Sequence, residues 1–396
     1  MPGRSYLAIP GPSVMPDEVL RAMHRAAPNI YAGPLVDMTA TLVPDLKKVA
    51  RTDGHVAMYI GNGHAAWEAA LANTIAPDDT VLVPCTGRFG HGWAEIAEGL
   101  GAQPQILDFG KQSPVDLHAL EEALRKDVDR KIKAVLAVHV DTSTSIRNDI
   151  SGMRAALDAA GHPALLMADC IASLGCDHFE MDAWGVDVMV TGCQKGLMVP
   201  PGMSFVFFND KAAAVRADMP RVSRYWDWTP RANPQEFYQY WNGTAPTQHL
   251  HGLRVALDML MAERMEAVWS RHTLLARAVW AACEAWSGGG ALELNVRNPE
   301  HRSVAVTSLK LDQGRGAQLR DWVESNMDLT LGIGLGMAEP GDPLRADFFR
   351  LGHMGHVNGQ MIMGLLGSMQ AGMKAIDVPL GDGALDAAAS VISEFG

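Results

Sequence analysis

The chain has 396 residues, 48% of them hydrophobic and 20% charged, a balance that excludes a disordered or fibrous polymer and allows one large and one smaller domain. A formal net charge of −12 argues against nucleic acid or an acidic membrane as partner, because phosphate binding needs a basic face. Cys85, Cys170, Cys176, Cys193 and Cys283 are odd in number and lack zinc-ligand spacing, so they read as buried thiols in a reducing compartment.

In chain order, the opening MPGRSYLAIPGPS holds no apolar stretch long enough for a signal peptide, and no segment reaches the length of a membrane span. A cytoplasmic location is expected. After the Pro- and Gly-rich segment 1–16, Pro16 and Asp17 open a predicted helix over 17–26. Apolar runs at 57–60, 80–85, 103–109, 134–140, 164–170, 186–193 and 203–208 then alternate with helical patterns such as 65–73 and 149–160. That alternation predicts an α/β architecture, a mainly parallel seven-stranded sheet covered on both faces. The large domain is assigned to 17–250, connecting helices to 251–286, and a small α+β domain to 287–396. Within the last, strands are expected at 303–310, 328–335 and 347–351, with helices at 316–326 and 359–376.

Two charged residues stand at the ends of buried-looking strands. Lys195 follows the run VDVMVTGCQ, and Asp169 closes ALLMAD. A lysine desolvated there has a depressed pKa and a free amine able to condense with an aldehyde cofactor, although an ordinary loop lysine fits the stretch alone equally well. In an open α/β sheet both residues face the crevice at the carboxyl ends of the strands. Pyridoxal phosphate needs this pair, the lysine as anchor and the carboxylate on the ring nitrogen.

At these positions VTGCQKGLMVPPG and MADCIASLG resemble the lysine and aspartate motifs of the class V, fold type I pyridoxal-phosphate aminotransferases, especially the glyoxylate enzymes. The resemblance runs from about Pro10 to the helix after Asn358. It implies fold type I, pyridoxal 5'-phosphate on Lys195, Asp169 on its ring nitrogen, and cofactor contacts from Asn62, Gln194 and Thr142. It also implies Phe89 stacked on the ring, in a place where an aromatic by itself is more often core. Arg350, inside DFFRLG, is assigned to the substrate α-carboxylate, against the alternative of a structural salt bridge. Thr244, in WNGTAP, is expected to reach the cofactor phosphate of a neighbouring subunit, which makes the protein a homodimer or a dimer of dimers. Where other members carry tyrosine this chain has Trp241.

Gly61-Asn62-Gly63-His64-Ala65-Ala66 fits two further patterns. As G-x-G-x-x-A it suggests a nicotinamide-dependent oxidoreductase, but the next strand ends in Cys85 and Thr86 where a ribose-binding acid belongs. It sits better as a phosphate cup, the N–H groups of Gly63 and His64 meeting the anion at a helix N-terminus. A purely structural turn is the third possibility. His353 and His356 read as structural because the sequence places no third metal ligand. Cysteine desulfuration is set aside because no cysteine follows Cys283. The expected reaction is ping-pong transamination between small-molecule amino and oxo acids, with glyoxylate as acceptor, giving glycine. The resemblance, with Arg88 as a cation for a second carboxylate, puts L-aspartate ahead of serine and alanine as donor. A surface arginine is the alternative for Arg88.

Overall fold

The computed structural model describes residues 4–395. Its first strand, β1 (Tyr6–Ala8), stands apart from the alternating pattern that follows. That pattern comprises β2 (His55–Gly61), β3 (Thr80–Cys85), β4 (Gln103–Asp108), β5 (Ile132–Val138), the short hairpin β6 (Val140–Asp141) and β7 (Ile146–Arg147), then β8 (Leu165–Asp169), β9 (Val188–Gly192) and β10 (Gly202–Phe208). Seven of these form one sheet in the order β2-β10-β9-β8-β5-β3-β4. Every pairing in it is parallel except those of β10, which runs against both β2 and β9.

The near-continuous apolar strands explain why this sheet is central. β8 and β9 are buried at every residue, which requires cover on both faces. Successive side chains of β5 divide between two cores, as strand geometry demands. Val135 and Ala137 join Leu42, Leu46 and Val49 of the helix Pro34–Ala50 on one face, and Ala134, Leu136 and Val138 join Trp67 and Trp93 on the other. Edge strand β4 is mostly exposed.

A second sheet contains β11 (Leu292–Leu294), β12 (Val306–Leu311), β13 (Leu329–Ile333) and β14 (Phe348–Gly352), in the order β1-β13-β14-β12-β11. Helices Met265–Ser287, Arg315–Met327, Gly359–Ala375 and Ala384–Ile392 contribute to its core. The sequence pattern did not foresee β1, which adds a parallel edge strand through Tyr6 beside Leu329. Nor did it foresee the 17-residue helix Pro34–Ala50, with Pro44 inside it. The expected connecting helices are two, Thr247–Glu263 and Met265–Ser287, separated at Arg264 with φ +73°. All five cysteines are buried. Among the described residues no helix is long and apolar enough to cross a membrane.

Candidate active site

Strands β2, β3, β5, β8 and β9 end on one side of the large sheet, and a cavity of about 240 Å³ opens there. Its wall is made by Asn62, Gly63 and His64 after β2, Phe89 after β3, Thr142 after β5, Asp169 at the end of β8, and Gln194 and Lys195 after β9. Eight expected residues are therefore brought together. Trp67, Val140, Ile171 and Ala172 complete the wall and were not anticipated, although Trp67 lies one turn beyond Gly63, where a helix presents the same face.

Asp169 is 4% exposed. Its Oδ2 accepts the indole N–H of Trp67 at 3.0 Å and its Oδ1 the backbone N–H of Ile171 at 2.7 Å. Burial pushes the carboxyl up to about 7, while those two donors pull the other way. Lys195 answers it across the cavity. Burial lowers its amine to about 8, the Arg350 charge adds to that effect, and the Asp169 carboxylate opposes it. The depressed amine expected from the sequence is thus present, for the expected reason.

The amino-terminal segment closes over this lysine. Lys195 Nζ donates to the carbonyl of Pro10, while Ser13 donates its N–H to Gln194 O at 2.8 Å and its hydroxyl to Lys195 O at 2.7 Å. Gly11 lies between, at φ +91°, where a β-carbon would overlap the lysine side chain. Only glycine satisfies both the backbone and the space.

The helix Gly63–Thr74 points its N-terminus at the cavity, but its cap differs from expectation. Asn62 Oδ1 accepts the N–H groups of His64 at 3.1 Å and Ala65 at 3.3 Å. The His64 N–H expected to meet a phosphate is taken by the cap, because an Asn in this position satisfies orphan donors of the first turn. On the next helix, Arg88–Gly99, the half-buried Phe89 donates its N–H to Asp141 Oδ2 at 2.8 Å. Gly87 lets Asp141 approach, since a β-carbon there would fall 2.5 Å from Asp141 Cγ.

Arg350 is buried, and no carboxylate lies within ion-pair distance of it among the described residues. Its Nε donates to Ile333 O at 2.6 Å and its Nη1 to Thr142 O at 2.7 Å. Nη2 makes no hydrogen bond among the described residues, and burial lowers the guanidinium to about 10. The carbonyl that accepts from Nη1 belongs to Thr142, a residue of the cavity wall, whereas Arg350 itself is not part of that wall. Arg88 is exposed, its stem lies against Gly336, and its charge helps depress the His64 imidazole. It stands at the rim and not in the wall. Thr244 is exposed and does not line the cavity of its own chain. His353 is buried, bonded to Thr307 Oγ1 at 2.9 Å and Val304 O at 2.8 Å, and no metal-ligand cluster occurs among the described residues.

The residues present fit pyridoxal phosphate. A buried amine and a buried carboxyl share one cavity, and Gln194 Oε1 is buried beside them with no hydrogen-bond partner among the described residues. A buried acceptor left unpaired is uncommon and fits a site made to receive a polar ligand. Comparison with known proteins agrees. The family model "Aminotransferase class-V" matches residues 5–340. The chain is 34% identical to the serine–glyoxylate aminotransferase of Methylorubrum extorquens, with 98% of this chain and 96% of that one covered. It is 33% identical to the L-aspartate–glyoxylate aminotransferase of Paracoccus denitrificans, covering 96% and 94%. The solved structure of ureidoglycine–glyoxylate aminotransferase from Bacillus subtilis is similar at a TM-score of 0.88 and 25% identity, with 99% of both chains covered. The dinucleotide alternative falls with these matches. A lysine and a carboxyl meeting at strand ends in a chain matched over nearly its whole length place the protein in the class-V aminotransferases, as a fold type I enzyme dependent on pyridoxal phosphate.

Proposed function

We propose that this enzyme transfers the amino group of L-aspartate to glyoxylate, giving oxaloacetate and glycine. The observation that carries the α-carboxylate half of this reading is the Arg350 fork, two nitrogens fixed on backbone carbonyls and Nη2 left for a ligand. Lys195 is the proposed catalytic residue. Bound pyridoxal phosphate supplies an electron sink for the pair left when the substrate Cα–H bond breaks. Lys195 Nζ takes that Cα proton as general base, and its buried setting, with an amine near 8, keeps a useful fraction unprotonated near neutrality. Asp169 faces the proton on the ring nitrogen and holds it there. Phe89 would stack on the ring, Thr142 and Gln194 would bind its polar substituents, and the Gly63 N–H at the helix N-terminus would receive the phosphate, beside the Asn62 and His64 side chains. The oxo acid formed from the donor would leave before glyoxylate enters the same site, the amino group staying with the enzyme's cofactor in between, so ping-pong kinetics follow.

The donor assignment draws on the aspartate-specific relative and on Arg88, which pairs with no carboxylate among the described residues. Serine is the second reading, favoured by the serine–glyoxylate relative and by a cavity wall that, among the described residues, holds no arginine for a side-chain carboxylate. The sequence suggested a desolvated pair for the side-chain carboxylate of aspartate, whereas Arg88 is exposed. Arg88→Ala should therefore lower kcat/KM for aspartate by only about fivefold, the worth of a rim ion pair of about 1 kcal/mol, and leave serine unchanged. A parent enzyme with the higher kcat/KM for serine would reverse the donor assignment. Equal losses for both donors would take Arg88 out of it.

The sites are proposed to be shared within a homodimer, alone or as half of a dimer of dimers, acting in the cytoplasm. Arg231, fully buried, ties the segment before Thr244 to the large sheet by donating to Met58 O at 2.7 Å and Tyr240 O at 3.0 Å. Beside it Ile60, Tyr225 and Tyr238 are exposed, apolar surface of the kind that subunits cover. Mixing Lys195→Ala subunits with Thr244→Ala, Gly243→Pro subunits should restore activity, because each heterodimer keeps one site with its lysine and its threonine intact. Verified heterodimers that stay inactive would refute sharing.

A further inference from the structure

Trp67 is 1% exposed in the first turns of the helix Gly63–Thr74, and aromatic neighbours fix its plane. It stacks on Trp93 at 5.8 Å with 13° between planes, and meets His64 at 4.8 Å and 60° and Phe89 at 6.2 Å and 67°. Packing alone does not require the indole nitrogen. Trp93, its stacking partner, has a buried Nε1 with no hydrogen-bond partner among the described residues. The Trp67 Nε1, by contrast, is aimed at Asp169 Oδ2, 3.0 Å away, and among the described residues Asp169 is the one carboxyl in the cavity wall.

Together with the Ile171 N–H on Oδ1 at 2.7 Å, this gives each carboxylate oxygen one N–H donor. Two donors from different elements, a helix and the turn after β8, fix both the position and the plane of the group. The remaining lone pairs are free for a ligand.

We propose that Trp67 is a positioning residue for transamination, donating its indole N–H to Asp169 Oδ2 so that the carboxylate meets the ring nitrogen of the cofactor in one orientation. This rests on the proposed assignment of Asp169 to that nitrogen. The electrostatics support it, since burial pushes the Asp169 carboxyl up and the Trp67 N–H is one of two hydrogen bonds that hold it down. A carboxylate kept ionised can hold the ring proton, whereas a neutral acid cannot. Any other large aromatic would fill the space between His64 and Trp93. Only one with a donor at that edge would reach Oδ2.

The test uses the holoenzyme with Trp67→Phe, and with β-(3-benzothienyl)alanine at position 67, which keeps the indole shape and replaces N–H by sulfur. In both, the cofactor should be held roughly 10-fold more weakly and kcat should fall on the order of 10-fold, the worth of a hydrogen bond to a charged group. KM for the oxo acid should stay near the parent value, and the absorption band of the bound cofactor should move. Asp169→Asn alone should lower both cofactor affinity and kcat. In that background Trp67→Phe should add less than about twofold, because residues acting through one group are not additive. A benzothienyl variant with the cofactor affinity and spectrum of the parent overturns the proposal. So do losses that simply multiply in the double variant, which would mark Trp67 as packing alone. An Asp169→Asn enzyme that matches the parent in affinity, spectrum and kcat overturns the Asp169 assignment itself, and the role of Trp67 falls with it.

Discussion

Lys195→Ala is expected to abolish covalent attachment of the cofactor and to lower kcat by about 10²–10⁴-fold or more, the range of a positioned general base. The amine is buried, depressed to about 8, and bonded to the Pro10 carbonyl, and among the described residues no other lysine lines the cavity to replace it. Borohydride reduction of the parent should fix a pyridoxyl group on the peptide containing Lys195, as read by mass mapping, and the variant should take no label. A label on another lysine, or a variant retaining more than about a tenth of the parent rate when a single general base should supply at least 10²-fold, would remove Lys195 from the chemistry.

The second large effect belongs to Arg350. Arg350→Met should reduce kcat/KM for amino donor and oxo acid alike by about 2–5 kcal/mol, the usual cost of losing one partner of a buried charge pair. Both substrates carry the same α-carboxylate. The substitution also strips donors from Ile333 O and Thr142 O, so part of the loss is structural, about 1–3 kcal/mol of stability for each carbonyl left dry. Borohydride labelling of Lys195 separates the two contributions, because it depends on the cofactor and not on substrate. Full labelling with a raised KM supports the role. Parent-like KM values for both substrates would end it.

The sequence foretold the parts of the site that stand at the ends of strands. Lys195 and Asp169 were legible because each is a lone charge closing an apolar run, and burial of such a charge demands a purpose. The seven-stranded sheet was legible for a related reason, since VMVTG and LLMAD cannot be solvated on either face. What escaped is held together by contacts between distant segments. Trp67 carries no signal of its own in the sequence, and the fold brings it into the cavity wall with its N–H on Asp169. Asp141 looks like a turn residue and instead anchors Phe89. Pro10 and Gly11 belong to a segment without periodicity, and their place over Lys195 depends on tertiary contacts. The helix Pro34–Ala50 was hidden by Pro44, which local rules treat as a breaker and which six buried residues of the helix outweigh.

The strand β1 links the two sheets in time as well as in space. Ser5 hydrogen-bonds Asp328, 323 residues further along the chain, and Tyr6 pairs with Leu329 in the same register. During synthesis the large sheet, complete at Phe208, has emerged long before β13 exists. The loop over Lys195 thus adds the β1 pairing to its Ser13 and Pro10 contacts only when a closure spanning most of the chain takes place, with the entropy that long closures cost. A chain emerging in order passes through a stage in which Lys195 already stands after its strand but the cover lacks its β1 tether, so the segment around Ser5 and Tyr6 is among the last to be secured.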